Sequence, residues 1–259
     1  MERTLNNSTT EIRDSNWDEE SEALAHFTPR QELAIMLRLL HAEGFDDHVF
    51  GHITLDLDND TFLTNPNEIG WDQVRASDLL LVDRRSRRLQ GSGTPHEGLA
   101  IHFSLRSHAV PGTAKVVIHN HPHYATLWAA RKQIPPIYDQ GGALESRELL
   151  LLEDYGTNAE IGRRHGKVLA DAGWFLLAHH GVVITGSSIA EAYFRAVVLE
   201  MRCRRAWEIE AMHGQAAAPM PAEFVRQAGL IAASGPDYWK FWWNFGKRRQ
   251  MRKDRTVLN

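Results

Sequence analysis

Apolar residues recur at helical spacing at Leu33, Met36, Leu39 and Leu40, which predicts a helix that opens at Thr28-Pro29-Arg30-Gln31 and stops by Gly44. Thr28 can cap the first turn, Pro29 suits the first helical position, and Gln31 stands where a capping box takes Glu or Gln. The period then drops to two: Ile53 and Leu55 alternate with Thr54 and Asp56, Asn59-Asp60 makes a turn, and Thr61–Thr64 returns before Asn65-Pro66-Asn67 breaks the pattern. Two short apolar runs, Leu79–Val82 and Ala114–Ile118, predict inner strands. Helices are expected from about His96 to Arg106 and over Asn158–Ala170, with a strand at Trp174–Ala178. After Gly181 and Gly186, Ser187 or Ser188 caps the longest helix, whose apolar positions are Ala190, Ala192, Phe194, Val197, Val198 and Met201 and which runs to about Met212. Ile134-Pro135-Pro136 and Gly141-Gly142 punctuate a long connection.

No internal repeat and no linker divide this pattern, so it predicts a single α/β domain, a central sheet flanked by helices. Residues 1–22 carry no hydrophobic period and are expected to form a disordered leader, residues 23–215 the main domain, and residues 216–259 an extension. That extension places six aromatic residues between Tyr238 and Phe245, followed by Lys247, Arg248, Arg249, Arg252, Lys253 and Arg255. A helix packed on the body or on a neighbouring subunit, with its charges in water, accounts for both features. A membrane or nucleic-acid contact fits less well, because 29 basic residues are outnumbered by 33 acidic ones for a net charge of −4. The single cysteine, Cys203, excludes an intrachain disulfide and a Cys-rich metal site, and reads as a buried inert thiol. No apolar run approaches the roughly 18 residues of a membrane span and the start is polar and acidic, so a cytoplasmic, soluble protein is expected.

Three places carry chemistry. In Val116-Val117-Ile118-His119-Asn120-His121-Pro122, residues i and i+2 of a strand share a face, so His119 and His121 can offer two imidazoles to one ion. Leu176-Leu177-Ala178-His179-His180-Gly181 brings another histidine to a strand end, and Glu97 adds a carboxylate in Thr94-Pro95-His96-Glu97-Gly98. Each has an ordinary explanation alone, as a chance pair or a hydrogen-bonded core histidine. Together they supply three neutral nitrogen donors with room for a fourth ligand, the pattern of a catalytic rather than a structural metal site.

With these residues in view the chain resembles the class II aldolase/adducin family from about Thr28 to Met212. The resemblance is carried by Phe50-Gly51-His52-Ile53-Thr54, by Phe62-Leu63-Thr64-Asn65-Pro66 followed by Ala76-Ser77-Asp78-Leu79, and by Glu97 with His102 five residues on. It continues through His119-Asn120-His121 with Tyr124-Ala125-Thr126, then His180-Gly181, Gly186 and Glu191-Ala192. It implies a mainly antiparallel sheet flanked by helices and a homotetramer with the site at a subunit boundary. It also implies one divalent metal per chain, typically zinc with manganese or iron as alternatives, held by His119, His121 and His180. Glu97 would move protons and can occupy the open metal position at rest. Tyr124 and Tyr138 carry hydroxyls able to donate protons or to serve structure, and Tyr124 is taken as a catalytic candidate.

Departures from the family pattern bear on the substrate. Pro95 and His96 stand where sugar-phosphate aldolases place two serines, His52 replaces the asparagine of the glycine turn, and Thr64-Asn65-Pro66-Asn67 replaces Thr-Pro-Ser-Gly. Proline has no N–H and no hydroxyl, so the phosphate cradle is poor. His52, Asn65, His96 and His179 are the substrate-binding candidates; protonated His52 and His96 would suit a carboxylate, and His179 can orient His180 or serve structure alone. The implied function is a metal-dependent lyase acting on a small non-phosphorylated hydroxy-carbonyl or hydroxy-acid compound, by retro-aldol cleavage or decarboxylation through a metal-stabilised enolate. The alternatives are a non-haem iron oxygenase acting on a hydroxyphenyl-type substrate and a non-catalytic module like the adducin head.

Overall fold

Thr28 Oγ1 accepts from the Gln31 backbone N–H at 3.3 Å while Gln31 Oε1 accepts from that of Thr28 at 3.0 Å, and helix α1 (Pro29–Ala42) follows from this reciprocal cap. It ends at Gly44, whose φ of +99° favours glycine. The structure is a computed structural model that describes residues 24, 26–45, 48–57, 59–145, 147–154, 158–213, 217–232 and 236–259. The expected leader, 1–22, lies outside the described residues.

Four strands come next, β1 (His52–Asp56), β2 (Thr61–Thr64), β3 (Leu80–Asp83) and β4 (Arg88–Gln90), then α2 (Leu99–His108), β5 (Val116–Asn120) and α3 (His123–Arg131). The remainder is β6 (Leu150–Leu152), α4 (Asn158–Ala172), β7 (Trp174–Leu177), β8 (Gly181–Gly186), α5 (Ile189–His213), α6 (Ala222–Ala232) and α7 (Pro236–Lys253). The eight strands form one sheet in the order β4-β3-β2-β1-β5-β8-β7-β6, antiparallel throughout except for β6 beside β7. This is the α/β class that the sequence predicts.

Register decides which residues share a face. His52 lies opposite His119 and Thr54 opposite Val117, while His119 and Val117 lie opposite Val183 and Thr185. Helices α2 and α4 cover this face, and Ile101, Leu105, Ile161 and Leu169 pack there on Val117, Phe175, Leu177 and Val183. A Cβ on Gly162 of α4 would stand 2.5 Å from Ser104 of α2, so glycine sets how closely these two helices pack. The other face carries Ile53, Ile118 and Ile184 into a larger core with Leu33, Leu37, Trp128, Trp174, Phe194 and Val198 from β7 and helices α1, α3 and α5. Helix α7 lies over α5: the Trp243 ring is 5.4 Å from Tyr193, and Tyr238 and Trp242 stand 5.7 and 5.5 Å from Phe194. Lys247 is buried and donates to the Leu24 carbonyl at 2.7 Å, while Phe241 and Phe245 are exposed. Cys203 is buried, and no helix among the described residues is long and apolar enough to cross a membrane.

Several boundaries depart from the sequence pattern. The helix expected from His96 starts at Leu99 with Gly98 as its cap, so His96 and Glu97 sit on the preceding loop. The strand expected at Ala114–Ile118 runs two residues further, to Asn120, and the pattern gave no sign of α3, α6, β4, β6 or β8. Strand β8 is six buried residues bounded by glycines, too short for a period to show.

Candidate metal centre

His119 lies near the end of β5, and its Nδ1–H donates to the Val182 carbonyl of neighbouring β8 at 2.9 Å. That bond settles the tautomer and leaves Nε2 with a lone pair for a ligand. Burial, with His180 and His121 close by, pushes the pKa of His119 down to about 3, so the ring is neutral. His121 follows one residue beyond the strand, before Pro122 caps α3.

His180 arrives from the β7–β8 hairpin. Leu177 pairs with Gly181, leaving Ala178-His179-His180 as a three-residue loop in which His179 takes φ +56° and the His180 N–H donates to the Leu177 carbonyl at 3.0 Å. The left-handed turn at His179, rather than the alternation of a strand, separates its side chain from that of His180. His179 is exposed, with its backbone N–H on the Ala129 carbonyl at 3.1 Å. A Cβ on Gly181 would come within 2.4 Å of the His121 ring and 2.5 Å of the Asn120 carbonyl, so only glycine lets β8 pass beside His121.

The outcome is one cluster. The ligating nitrogens of His119, His121 and His180 all lie within 4.8 Å of one another, from a buried, a half-buried and an exposed residue. Ring centroids are 5.1 Å apart for His119 and His121, 4.8 Å for His119 and His180, and 4.9 Å for His121 and His180. Among the described residues no other group of histidine, cysteine, aspartate and glutamate side chains converges in this way.

Further imidazoles continue the cluster across β1. The His52 ring is 5.0 Å from His119, 5.1 Å from His96 and 4.7 Å from His102. Burial lowers His52 well below the ordinary histidine value and takes His96 to about 4. Both rings are thus neutral near pH 7, and burial disfavours the protonated forms that would suit a carboxylate. Asn65 uses its amide on the backbone, accepting from the Ile53 N–H and donating to the Gly51 carbonyl, each at 3.0 Å, and makes a 3.5 Å contact with His96 Nε2. This side chain fastens the start of β1.

Glu97 and Tyr124 are not drawn into the three-histidine cluster. Glu97 is exposed beside His96 and lies outside the three-histidine group. Tyr124 opens α3 and lines a cavity of about 600 Å³ with Gly44, His123, Glu200, Arg204 and Arg205; none of the three clustered histidines lines it. Glu200 is buried there and accepts the Tyr124 and Ala125 N–H groups at 2.8 and 3.0 Å; burial raises its pKa to about 7 against the pull of those two bonds. No sequence pattern singles out Glu200 or Arg106, Thr54 enters only as part of the glycine turn, and His102 is left open between the site and packing.

Comparison with known proteins follows the same lines. Residues 31–207 match the family model described as the class II aldolase and adducin N-terminal domain. The chain belongs to the class II aldolase/adducin family. Within that family it is 31% identical to a 3,4-dihydroxyphthalate decarboxylase of Terrabacter over 222 residues, covering 75% of this chain and 86% of the relative. It is 28% identical over 220 residues to an aldolase class 2 protein of Pseudomonas aeruginosa, covering 82% and 80%. An aldolase II superfamily protein from Pseudomonas syringae shares the fold, with a TM-score of 0.78, 21% identity and coverage of 91% and 98%. A divalent ion is implied by this membership, and the donors fit it: three imidazoles within reach of one centre, one of them already held in the ligating tautomer.

Proposed function

We propose that the protein is a metal-dependent lyase that breaks a carbon–carbon bond, by retro-aldol cleavage or decarboxylation, in a non-phosphorylated hydroxy-carbonyl or hydroxy-acid substrate. The convergence of His119, His121 and His180 within 4.8 Å carries this reading. These three would hold one ion, zinc before manganese or iron. When bound, such an ion supplies a Lewis acid for the negative charge that develops on a substrate oxygen.

The chain's own groups do the rest. The Val182 carbonyl keeps the His119 ring in the ligating orientation. Glu97, on the loop before α2, takes and returns the proton. His52 and His96 face the substrate as neutral rings, a poor match for a phosphate dianion and a fair one for hydroxyl, carbonyl or carboxylate oxygens. Arg106, near this cluster, spends its guanidinium on Thr54, Ala114 and Lys115. The decarboxylase relative supports a hydroxy-acid substrate. Assembly as a homotetramer, with Tyr124 serving a neighbouring subunit's site, belongs to the same proposal.

Elemental analysis of protein purified without chelator tests it. About one zinc or manganese per chain is expected, absent from His119→Ala. Glu97→Gln should keep the metal and lower turnover across a panel of hydroxy acids and hydroxy ketones by about 10²–10⁴. Iron with substrate-dependent oxygen consumption would instead identify an oxygenase, and absence of metal an adducin-like module.

A further inference from the structure

A buried hydrogen-bond chain runs from α2 to the ring next to the three histidines. The Arg106 guanidinium can only donate; its Nη1 donates to Thr54 Oγ1 at 2.7 Å and its other N–H groups to the carbonyls of Thr54, Ala114 and Lys115 at 2.9–3.0 Å. Thr54 Oγ1 is 2.8 Å from His102 Nδ1, and His102 Nε2 is 3.0 Å from His52 Nδ1. Thr54 and His102 are fully buried and His52 is 2% exposed, so water does not compete for these bonds.

The direction of the chain follows from counting protons. Thr54 accepts from Arg106 and has one proton to give, and His102 Nδ1 is the acceptor within reach. His102 then carries its own proton on Nε2 and donates it to His52 Nδ1. His52 must keep its proton on Nε2, a nitrogen with no partner among the described residues. The opposite order would bury the Thr54 hydroxyl proton without an acceptor, a cost of the kind folded proteins avoid.

We propose that Arg106, Thr54 and His102 are positioning residues that lock His52 in its Nε2–H tautomer, presenting a neutral N–H donor beside His119, His121 and His180 to a carboxylate oxygen of a hydroxy-acid substrate. A neutral donor held in place stabilises charge without needing to reorganise, and unlike a hydroxyl or an unfixed imidazole it cannot turn an acceptor toward that oxygen. The substrate half of this inference rests on the function proposed above; the tautomer half does not.

The tautomers are measurable in metal-free protein labelled with ¹⁵N-histidine, by long-range ¹H–¹⁵N correlation. His52 and His102 should each show a bare Nδ1 and a protonated Nε2, and Thr54→Val, which removes the hydroxyl and keeps the shape, should abolish the single tautomer at both rings. A protonated Nδ1 on His52, or fixed tautomers surviving in Thr54→Val, would overturn the relay. With the zinc-loaded protein and oxalate as probe, Thr54→Val and His52→Leu should weaken binding about tenfold at unchanged zinc content, as loss of a hydrogen bond to a charged group predicts. His52→Asn, which keeps an N–H, should recover part of that loss. Unchanged oxalate affinity, or a loss that tracks loss of zinc, would overturn the substrate role. Failure to bind zinc at all would remove the lyase reading while leaving the tautomer result to decide the relay.

Discussion

On the sheet face covered by α1, α3 and α5, strands β1, β5 and β8 present Ile53, Leu55, Val116, Ile118, Val182 and Ile184, whereas on the face covered by α2 and α4 the same strands present His52, Thr54, His119 and Thr185 beside Val117 and Val183. Both faces are buried, and they solve burial by different means. The strand side chains of the first rely on aliphatic and aromatic packing, while α5 behind them carries the buried pairs of Arg195 with Glu145 and Glu191. The second contains imidazoles, two hydroxyls and a guanidinium, each of which must be hydrogen-bonded or it costs free energy. The Arg106–Thr54–His102–His52 chain is how that condition is met, and its free end is where the site begins. The larger apolar core lies on one face and the buried imidazoles His52, His102 and His119 on the other.

The largest effect that would test this division is a cavity on the apolar face. Phe194 is fully buried between the sheet and the α7 aromatics Tyr238 and Trp242. Phe194→Ala should cost about 3–5 kcal/mol in urea unfolding, with metal content of the folded protein unchanged. A loss of metal in proportion would mean that the two faces are not separable.

Acid should expose the polar face next. His102 and His96 are held below the ordinary histidine value by burial, His96 at about 4. Between there and about pH 6.5 the unfolded chain therefore binds more protons than the folded one. Stability of metal-free protein should be full above about pH 6.5 and fall as pH drops, by about 1.4 kcal/mol per pH unit for each such ring. Glu200, raised to about 7, acts in the opposite sense: its contribution is present at low pH and lost as pH rises through 7. Glu200→Gln should accordingly steepen the acid loss, and urea titrations at pH 5, 6 and 7 would show it.

The smallest effect belongs outside both faces. Arg226 and Glu223 pair at 2.6 Å on α6 with both side chains more than half exposed. Arg226→Ala should move the unfolding midpoint by no more than about 0.5 kcal/mol; a larger shift would show that α6 is held by more than its own exposed charges.

How far the site was legible follows from how local its causes are. The i, i+2 spacing of His119 and His121 at a strand end brings both to one side, even though β5 stops at Asn120, so the pair could be read directly. His180 joined them as a further histidine at a strand end, before any resemblance was drawn, and its route is a tight turn rather than that strand end. Glu97 was read as part of a helix, but Gly98 caps α2 one residue later, leaving the carboxylate on an exposed loop. His102 stayed ambiguous because a buried helical histidine looks the same in sequence whether or not a neighbour needs its proton. Glu200 gave no signal, since its partners are two backbone N–H groups about 75 residues away.

Short-range chemistry in the chain therefore determined the capping box of α1, the apolar runs that became β3, β5 and β7, and the three nitrogen donors with their family pattern, because each is set by neighbours a few residues apart. Tertiary structure alone decided that β8 pairs with β5, that His52 faces His119, and that Arg106 reaches Thr54. Those pairings depend on antiparallel register and helix docking between segments about 50 or more residues apart, where a slip of one residue would turn every side chain to the opposite face.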